Sequence, residues 1–332
     1  MNSSLKPVGI LGTGKYVPEK VLTNFELEQM VDTNDEWIVT RTGIRERRIA
    51  SAEQASSDLA YEASKIALKN AGVTPEEIDL IIVATVTPDM AFPSTACILQ
   101  DKLGAKKAAA FDLSAACSGF IYSLANAANF IATGTYKYAL VVGAECLSKI
   151  TDYTDRNTCI LFGDGAGAVV LGEVPEGRGF KSFELGADGT GGPLLNVAAG
   201  GSRCPASPQS LEGKQHFIFM AGSEVFKFAV RIMGSAAEEA LRKAGIDKSE
   251  VDLLVPHQAN IRIIQSALQK LNLSEDKCMI NLDKYGNVSA GSIPIALAEA
   301  AESGRVKEGD CLVLVGFGGG LTWGASVLVW GK

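Results

Sequence analysis

One cysteine stands between a predicted buried strand and a predicted helix, in the stretch Ala108–Phe120. Small and apolar residues open this stretch, Ser114-Ala-Ala turns the chain, and small residues continue as a helix over Phe120–Thr133. Cys117 is therefore expected at a helix N-terminus, where the peptide dipole and free N–H groups favour the nucleophilic thiolate. The alternative is a buried structural cysteine, which is the usual state of a free thiol.

Two more polar residues are expected near that cysteine. His257 follows the predicted strand Val251–Val255, and Asn287 stands at a strand-to-helix turn. A lone histidine is usually structural, but ligands gather outside the carboxyl ends of parallel strands, where His257 is placed. If two halves of the chain pack about a pseudo-twofold axis, Cys117, His257 and Asn287 converge on one crevice.

An internal repeat supports two such halves. Ala67–Gly72 recurs as Ala240–Gly245, 173 positions later, and the strands that follow keep this offset. An offset of 170 then pairs Cys117 with Asn287, and the next strands, at 138–143 and 311–316, are 173 apart. A period this long indicates a duplicated domain, with halves over residues 1–174 and 175–332. The element order in each half predicts a mostly parallel sheet with helix-covered faces.

Composition excludes several function classes. The 332 residues are 47% hydrophobic and 21% charged, as in ordinary soluble proteins, and the net charge of −7 argues against nucleic-acid binding. The apolar runs are strand-sized, and the N-terminus lacks the pattern of a signal peptide, so neither a membrane span nor secretion is expected. Seven scattered cysteines without a C-x-x-C pair predict neither a zinc site nor a disulfide framework, and favour a reducing cytosol.

Two further stretches allow a functional and a structural interpretation. Four glycines in five positions, Gly316–Gly320, form either an oxyanion hole or a tight turn between strands, and the two are compatible. Four arginines, at 41, 45, 47 and 48, form either a solvated face or, with Trp37, a grip on a nucleotide or phosphate.

Five motifs carry a family resemblance over essentially the whole chain. They are GxGxYxP at 12–18, AACSGF around Cys117, PHQANIR around His257, YGNVSAGS around Asn287 and FGGGLTWG at 317–324. In this order they resemble β-ketoacyl-acyl-carrier-protein synthase III of the thiolase superfamily. The resemblance implies an α/β, thiolase-like fold, with two pseudo-twofold-related halves in five αβαβα layers.

The resemblance also implies the reaction that starts type II fatty-acid synthesis. An acyl-CoA primer, acetyl-CoA being expected, acylates Cys117 with release of CoA. Backbone N–H groups of Cys117 and Gly319 form the oxyanion hole, while His257 and Asn287 hold the malonyl thioester carbonyl during loss of CO2. The carbanion then attacks the acyl-cysteine and gives 3-oxoacyl-carrier protein, without a metal or redox cofactor.

Further residues receive roles by resemblance. CoA contacts are expected from Thr33, Trp37, Arg41, Arg156 and Asn260. Phe92 shapes the primer pocket across a homodimer interface, and carrier-protein contacts are expected from Lys227, Gln258 and Arg262. The expected partners are acyl-CoA, malonyl-acyl-carrier protein and a second copy, with no nucleic acid or membrane. The expected location is the cytoplasm, which the sequence does not distinguish from plastid stroma.

Several relatives and one different class of protein were weighed against this interpretation. A degradative thiolase needs a second cysteine, which Phe317–Gly324 lacks, and elongating synthases carry a second histidine where this chain has Asn287. Plant-type polyketide synthases differ in the glycine motif. A Cys-His-Asn ketide synthase or acyltransferase of secondary metabolism with a different acceptor is the main alternative, and a catalytically silent acyl-CoA or carrier-protein binder is another. Primer length, primer branching and regulation stay open.

Overall fold

The computed structural model describes residues 5–332, with strands and helices distributed along the whole of that range. The strands are β1 (Val8–Tyr16), β2 (Lys20–Thr23), β3 (Glu46–Ile49), β4 (Leu80–Ala84), β5 (Ala109–Leu113), β6 (Ala139–Cys146), β7 (Asp164–Glu173), β8 (Gly179–Ala187), β9 (Leu195–Asn196), β10 (Phe219–Met220), β11 (Leu253–Pro256), β12 (Cys311–Gly318) and β13 (Thr322–Val329). The α-helices are α1 (Asn24–Leu27), α2 (Asp35–Thr42), α3 (Ser56–Ala71), α4 (Thr95–Leu103), α5 (Gly119–Ala132), α6 (Pro208–Glu212), α7 (Gly222–Ala244), α8 (Ile261–Leu271), α9 (Leu282–Tyr285) and α10 (Ser292–Glu302).

Two central sheets share one strand order. The first runs β1-β7-β6-β4-β5 and the second runs β8-β13-β12-β11. Strand β4 pairs in parallel with β5 and β6, and β11 pairs in parallel with β12, whereas the other pairs are antiparallel. The prediction of mostly parallel sheets is therefore wrong. No α-helix connects β6 to β7 or β12 to β13. Strand β7 therefore runs antiparallel to β6, and β13 runs antiparallel to β12.

The two sheets and their helices form the five predicted layers. Helices α3 and α4 cover the first sheet, α7 covers the second with α8 packed beside it, and α5 and α10 lie between the sheets. Three buried apolar clusters fill the spaces between these layers, and the middle one joins both sheets to α5 and α10. Strands β6 and β12 are buried along their whole length because both faces are covered, which explains their continuous apolar sequence.

The repeat is visible in the helix ends. Helices α3 and α7 end at Gly72 and Gly245, which are 173 residues apart and have φ angles of 67° and 68°. A side chain is strained in this left-handed conformation, so glycine ends both helices. The chain passes from the first sheet to the second between β7 and β8. The boundary after residue 174 remains a prediction, since α10 from the second half packs on the first sheet.

The pairing of Cys117 with Asn287 is wrong by three residues. A short 3-10 turn precedes each central helix, at Ala116–Ser118 before α5 and at Ser289–Gly291 before α10. Turns and helices start 173 residues apart, so Cys117 corresponds to Ala290, and Asn287 corresponds to Ser114. Runs of small residues carry too few landmarks to set the register from the sequence.

Three further features concern membrane helices, clusters of metal ligands and cysteines. Among residues 5–332, no helix combines the length and apolar character needed to cross a bilayer. Within the same range no group of three or more His, Cys, Asp or Glu side chains is placed to hold a metal ion. All seven cysteines are free thiols.

Candidate active site

Cys117 lies in the turn between β5 and α5, at the helix N-terminus that the sequence predicts. Its side chain is buried, and its Sγ donates a hydrogen bond to the hydroxyl of Ser289 at 3.4 Å. The preceding residue, Ala116, has a φ of 46°, which is uncommon for a residue with a side chain. The Ser118 hydroxyl bonds Ala115 O and Thr322 Oγ1, and so ties this turn to β13.

Burial opposes the thiolate that the helix N-terminus is expected to favour at Cys117. Burial raises the pKa of Cys117 to about 12, and the nearby Glu145 carboxylate acts in the same direction. Desolvation disfavours the charged form of any buried acid, and here it outweighs the helix N-terminus. A nucleophilic role for this sulfur therefore requires a group that accepts its proton.

His257 follows β11 and is only 1% exposed. Its backbone N–H donates to Val315 O, and its ring lies edge-on to Phe317 with centroids 5.6 Å apart. Burial lowers the pKa of the imidazole to about 3, so the ring is neutral at physiological pH. Both ring nitrogens are buried without a hydrogen-bond partner among the described residues. Such groups cost free energy unless something binds them, which argues against a purely structural histidine.

Asn287 is held by its backbone and by its own side-chain oxygen. Its N–H donates to Leu161 O, its carbonyl accepts from Gly163 N, and its Oδ1 accepts from Ser289 N at 2.8 Å. This last bond defines the amide orientation, because an amide NH2 cannot accept from an N–H. The NH2 group is consequently the part of the side chain that is available to donate.

Glycines of β12 bring these elements together. A Cβ on Gly316 would lie 3.3 Å from Cys117 O and 3.4 Å from His257 Cβ, so this strand touches both residues. A Cβ on Gly318 would lie 2.5 Å from the backbone nitrogen of Cys117, which only glycine permits. Gly319 follows and shares a cavity wall with Cys117.

A cavity of about 480 Å³ opens on the cysteine. Its lining is mainly apolar and comprises Val86, Ser114, Ala115, Ala116, Cys117, Leu147, Ile150, Phe162, Gly192, Leu195, Asn196, Val197, Ile218, Ser289, Gly319, Gly320 and Thr322. Residues 195 and 196 of this lining belong to the short strand β9. Phe92 does not line this cavity in its own chain, and its side chain is 84% exposed.

The five residues predicted to contact CoA lie in one neighbourhood. The guanidinium groups of Arg41 and Arg156 lie 4.8 and 5.3 Å from the ring centroid of Trp37. Asn260 Nδ2 donates to Arg41 O, and Thr33 Oγ1 is buried without a partner among the described residues.

The interpretation of the four arginines as one solvated face is wrong for one of them. Arg47 is fully buried, and it donates to Leu22 O, Asn24 Oδ1 and Ile160 O. These bonds tie β3 to neighbouring segments, so the side chain is structural.

The predicted carrier-protein residues divide into two groups. Lys227 and Arg262 are exposed at the starts of α7 and α8, and Arg262 lies 5.0 Å from the ring of Phe226. Gln258 is 1% exposed, donates to Pro256 O and Met279 O, and accepts from Asn281 N. Its predicted role at a protein surface is therefore wrong, because the side chain is buried and its groups already have partners.

Two residues near Cys117 were missed from the sequence. Ser289 accepts the hydrogen bond of the thiol, and Glu145, at the end of β6, is fully buried beside the same turn. The available signal was a carboxylate inside the otherwise apolar strand Ala139–Cys146, since buried acids usually have a specific reason to be there.

Comparisons with known proteins identify the family of the chain. The family model described as 3-oxoacyl-[acyl-carrier-protein (ACP)] synthase III matches residues 111–189, and that of its C-terminal part matches residues 241–330. A relative from Desulfitobacterium hafniense (strain Y51), named β-ketoacyl-[acyl-carrier-protein] synthase III, is 62% identical over 98% of both chains. The crystal structure of 3-oxoacyl-[acyl-carrier-protein] synthase III from Aquifex aeolicus VF5 superposes with a TM-score of 0.90, with 50% identity over 97% of this chain and 100% of that one. A priming β-ketosynthase from the R1128 polyketide biosynthetic pathway gives a TM-score of 0.92 and 35% identity over 100% and 98%.

Architecture and similarity together define an acyltransferase of the condensing-enzyme class with a thiolase-like fold, as predicted. Within that class, the chain belongs to the β-ketoacyl-[acyl-carrier-protein] synthase III family, which initiates fatty-acid synthesis. The chain is 62% identical to the Desulfitobacterium relative and 35% identical to the polyketide ketosynthase. The alternative function in secondary metabolism is therefore not favoured.

Proposed function

We propose that the protein condenses an acyl primer from acyl-CoA, acetyl-CoA being the expected one, with malonyl-acyl-carrier protein. The products are 3-oxoacyl-carrier protein, CO2 and CoA. The observation that carries this proposal is that both ring nitrogens of His257 lack a hydrogen-bond partner among the described residues. His257 and Cys117 both lie against Gly316 of β12. A neutral imidazole has one N–H, and a thioester oxygen of the substrate would satisfy it.

In the first half-reaction, the sulfur of Cys117 attacks the carbonyl carbon of acyl-CoA. The tetrahedral oxyanion receives hydrogen bonds from the backbone N–H groups of Cys117 and Gly319. The close approach of Gly318 to the Cys117 nitrogen supports this arrangement, because it brings the glycine loop against the nucleophile's own backbone.

In the second half-reaction, malonyl-carrier protein loses CO2 while its thioester carbonyl becomes an enolate oxygen. The neutral His257 N–H and the Asn287 NH2 group donate to that oxygen. Ser289 N–H supports this role, because its bond to Asn287 Oδ1 leaves the amide hydrogens directed elsewhere. The carbanion attacks the acyl group on Cys117 and releases the thiolate.

The surface outside the site suggests how the substrates dock. We assign the adenine of CoA to the group formed by Trp37, Arg41 and Arg156, with Thr33 and Asn260 beside them, because a flat ring can stack on an indole or a guanidinium. The acidic carrier protein is assigned to Lys227 and Arg262, which are exposed and adjacent through Phe226.

The remaining assignments follow from the family. They are a cytoplasmic homodimer that needs no cofactor, with Phe92 reaching the partner's primer pocket, and two halves over 1–174 and 175–332 that carry the cysteine and the His-Asn pair. The exposure of Phe92, 84%, agrees with a side chain that has its contacts on another copy.

Intact mass measurement tests the proposed function. Incubation with acetyl-CoA should add one acetyl group on Cys117, and addition of malonyl-carrier protein should remove it as 3-oxobutanoyl-carrier protein forms. Cys117→Ser is the control and should reduce adduct formation by more than about a thousandfold, since a neutral hydroxyl is a poor nucleophile. An adduct that persists would indicate a different acceptor, and no adduct with acetyl, longer or branched primers would indicate a silent binder.

A further inference from the structure

The glycine loop, residues 318–322, contains few polar side chains to hold it in place. Three of its five residues are glycines. A pair of backbone hydrogen bonds at 2.8 Å joins Leu321 of the loop to Asp188. The attachment to the nucleophile is different. Among the described residues, every side-chain hydrogen bond between this loop and the turn that carries Cys117 involves the hydroxyl of Thr322.

The Thr322 hydroxyl lies between the loop and the nucleophile turn, residues 115–118. The hydroxyl of Ser118 donates to it at 2.8 Å. Thr322 Oγ1 donates in turn to Ala115 O at 3.0 Å or to Gly319 O at 3.3 Å. Because a hydroxyl has only one proton, these last two bonds are alternatives. In either case the hydroxyl stays bonded to the nucleophile turn.

The two segments that this hydroxyl joins carry the N–H groups assigned to the oxyanion hole. Among the described residues, neither Cys117 N nor Gly319 N donates to a backbone carbonyl. Both residues line the same cavity, as does Thr322. An oxyanion hole works only when its donors are directed at one oxygen, so the separation of the two segments has to be held constant.

We propose that Thr322 is a positioning residue for the oxyanion hole, an inference that rests on the proposed function. Its hydroxyl sets the separation of the N–H groups of Cys117 and Gly319 and takes no part in proton transfer or bond formation. The hole serves both half-reactions, because each passes through a tetrahedral intermediate on the sulfur of Cys117. Loss of CO2 does not use it, since the enolate oxygen is assigned to His257 and Asn287.

The variant Thr322→Val removes the hydroxyl and keeps the branched shape of the side chain. Valine suits the first residue of a strand as well as threonine does. The change leaves the buried Ser118 hydroxyl with a partner, because Ser118 Oγ also lies 2.8 Å from Ala115 O and donates there. The variant is therefore expected to fold and to lose mainly the link between the loop and the turn.

The test is the single-turnover rate of Cys117 acylation by acetyl-CoA, followed by intact mass. Thr322→Val should lower the rate at saturating acetyl-CoA about ten- to hundredfold and leave the half-saturating concentration within about threefold, because the loss is in the reacting geometry. Thr322→Ser keeps the hydroxyl and should restore the rate to within about threefold of the wild type. Thr322→Ala is a second variant without the hydroxyl and should lose as much as Thr322→Val.

Alkylation of Cys117 by iodoacetamide separates the oxyanion hole from other effects. This displacement forms no oxyanion, but it needs the same sulfur, the same cavity and the same folded turn. Its rate is followed by peptide mass, because the chain has six other cysteines. The rates in Thr322→Val and the wild type should agree within about twofold, since no tetrahedral intermediate has to be stabilised.

Ser118→Ala is the matched control in the same group of hydrogen bonds. Thr322 still donates to Ala115 O in this variant, so the link between loop and turn remains. Acylation should stay within about threefold of the wild type. A loss in Ser118→Ala as large as that in Thr322→Val would overturn the particular role of Thr322, because any change in the turn would then have the same effect.

The remaining outcomes distinguish this inference from the proposed function. A wild-type protein that is not acylated by acetyl-CoA, or by longer or branched primers, would overturn the proposed function itself. Wild-type acylation rates in both Thr322→Val and Thr322→Ala would overturn the positioning role and leave the proposed function standing. Equal losses in acylation and alkylation would assign Thr322 to the folding of the turn instead of the oxyanion hole.

Discussion

The two turns that precede the central helices have the same backbone and different chemistry. Ala116 and Ser289 begin them with nearly identical positive φ angles, and Cys117 and Ala290 follow at equivalent positions. A glycine of the opposite half touches each turn, Gly316 at the carbonyl of Cys117 and Gly143 at the carbonyl of Ala290. The repeat thus supplies one scaffold twice.

Two residues further along these strands the halves diverge. Two residues after Gly316 stands Gly318, which lies against the Cys117 nitrogen. Two residues after Gly143 stands Glu145, a fully buried carboxylate that accepts hydrogen bonds from residues 85–87. The turn at Cys117 therefore faces a glycine loop, whereas the equivalent strand position in the other half carries a buried carboxylate. The repeat supplies the same frame twice, and single side chains make the two turns different.

The largest expected effect in this comparison is at Asn287, whose equivalent in the first half is Ser114. Asn287→Ala should reduce condensation about 10²- to 10³-fold, as loss of one oxyanion donor does, and leave Cys117 acylation within about threefold. Release of CO2 from malonyl-carrier protein and the acyl adduct are measured in parallel.

Two variants refine that experiment. Asn287→Asp keeps the oxygen that accepts from Ser289 N and removes the NH2 donor, so it should reproduce the loss of condensation with the turn intact. Ser114→Ala alters the equivalent position and should condense at close to the wild-type rate. Normal decarboxylation in Asn287→Asp would show that the amide has no such role.

The sequence predicts what depends on local pattern, and it fails where neighbours decide. Amphipathic spacing over 57–71, followed by Gly72, predicts a helix there, and α3 is observed at Ser56–Ala71, because both signals lie within the segment itself. The location of Cys117 was predicted for the same reason. The buried state of Gln258, the raised pKa of the Cys117 thiol and the contacts of Glu145 come from residues far away in sequence, and no local pattern encodes them.

The second prediction concerns Gly318. The equivalent position in the first half, Glu145, carries a long side chain. Gly318→Ala should place a methyl group against the Cys117 nitrogen, lower the free energy of unfolding by about 1–3 kcal/mol, and slow acylation more than tenfold. Chemical denaturation and single-turnover acylation measure the two effects.

Gly189→Ala is the matched control, because a Cβ there would meet nothing within 4 Å. Its stability should remain within about 0.5 kcal/mol of the wild type. Equal acylation rates in Gly318→Ala and the wild type would contradict the contact between the glycine loop and the nucleophile.

His257 corresponds to Ala84 in the first half, so only the second half carries a titratable side chain at this position. The third prediction is the effect of that side chain on the pH dependence of stability. Its folded pKa, about 3, lies below the ordinary value of 6.5, so its contribution to stability is complete above pH 6.5 and is lost as the pH falls towards 3. Between pH 6.5 and 5 the wild type should lose about 2 kcal/mol through this residue.

Glu145 acts in the opposite sense over part of this range. Its folded pKa is raised, so the stability that it contributes is complete below 4.5 and is lost as the pH rises through about 7. Comparing urea denaturation of the wild type and His257→Gln at each pH isolates the histidine. If both proteins changed equally between pH 6.5 and 5, the ring would not be the neutral, desolvated group described above.

The smallest expected effect concerns the backbone that both turns share. Ala116→Gly should raise the free energy of unfolding by about 1 kcal/mol or less, because glycine adopts a φ of 46° without the cost of a Cβ, partly offset by its entropy in the unfolded chain. Ala290→Gly, one position further along the second turn, should lower it by a similar amount, since Ala290 is buried and is not among the residues of positive φ. Thermal denaturation of the two variants gives the signs directly. A gain of stability in Ala116→Gly and a loss in Ala290→Gly mean that backbone strain is confined to the first residue of each turn. A loss of stability in both variants would mean that the methyl group of Ala116, packed near Gly318, contributes more free energy than its strained backbone costs.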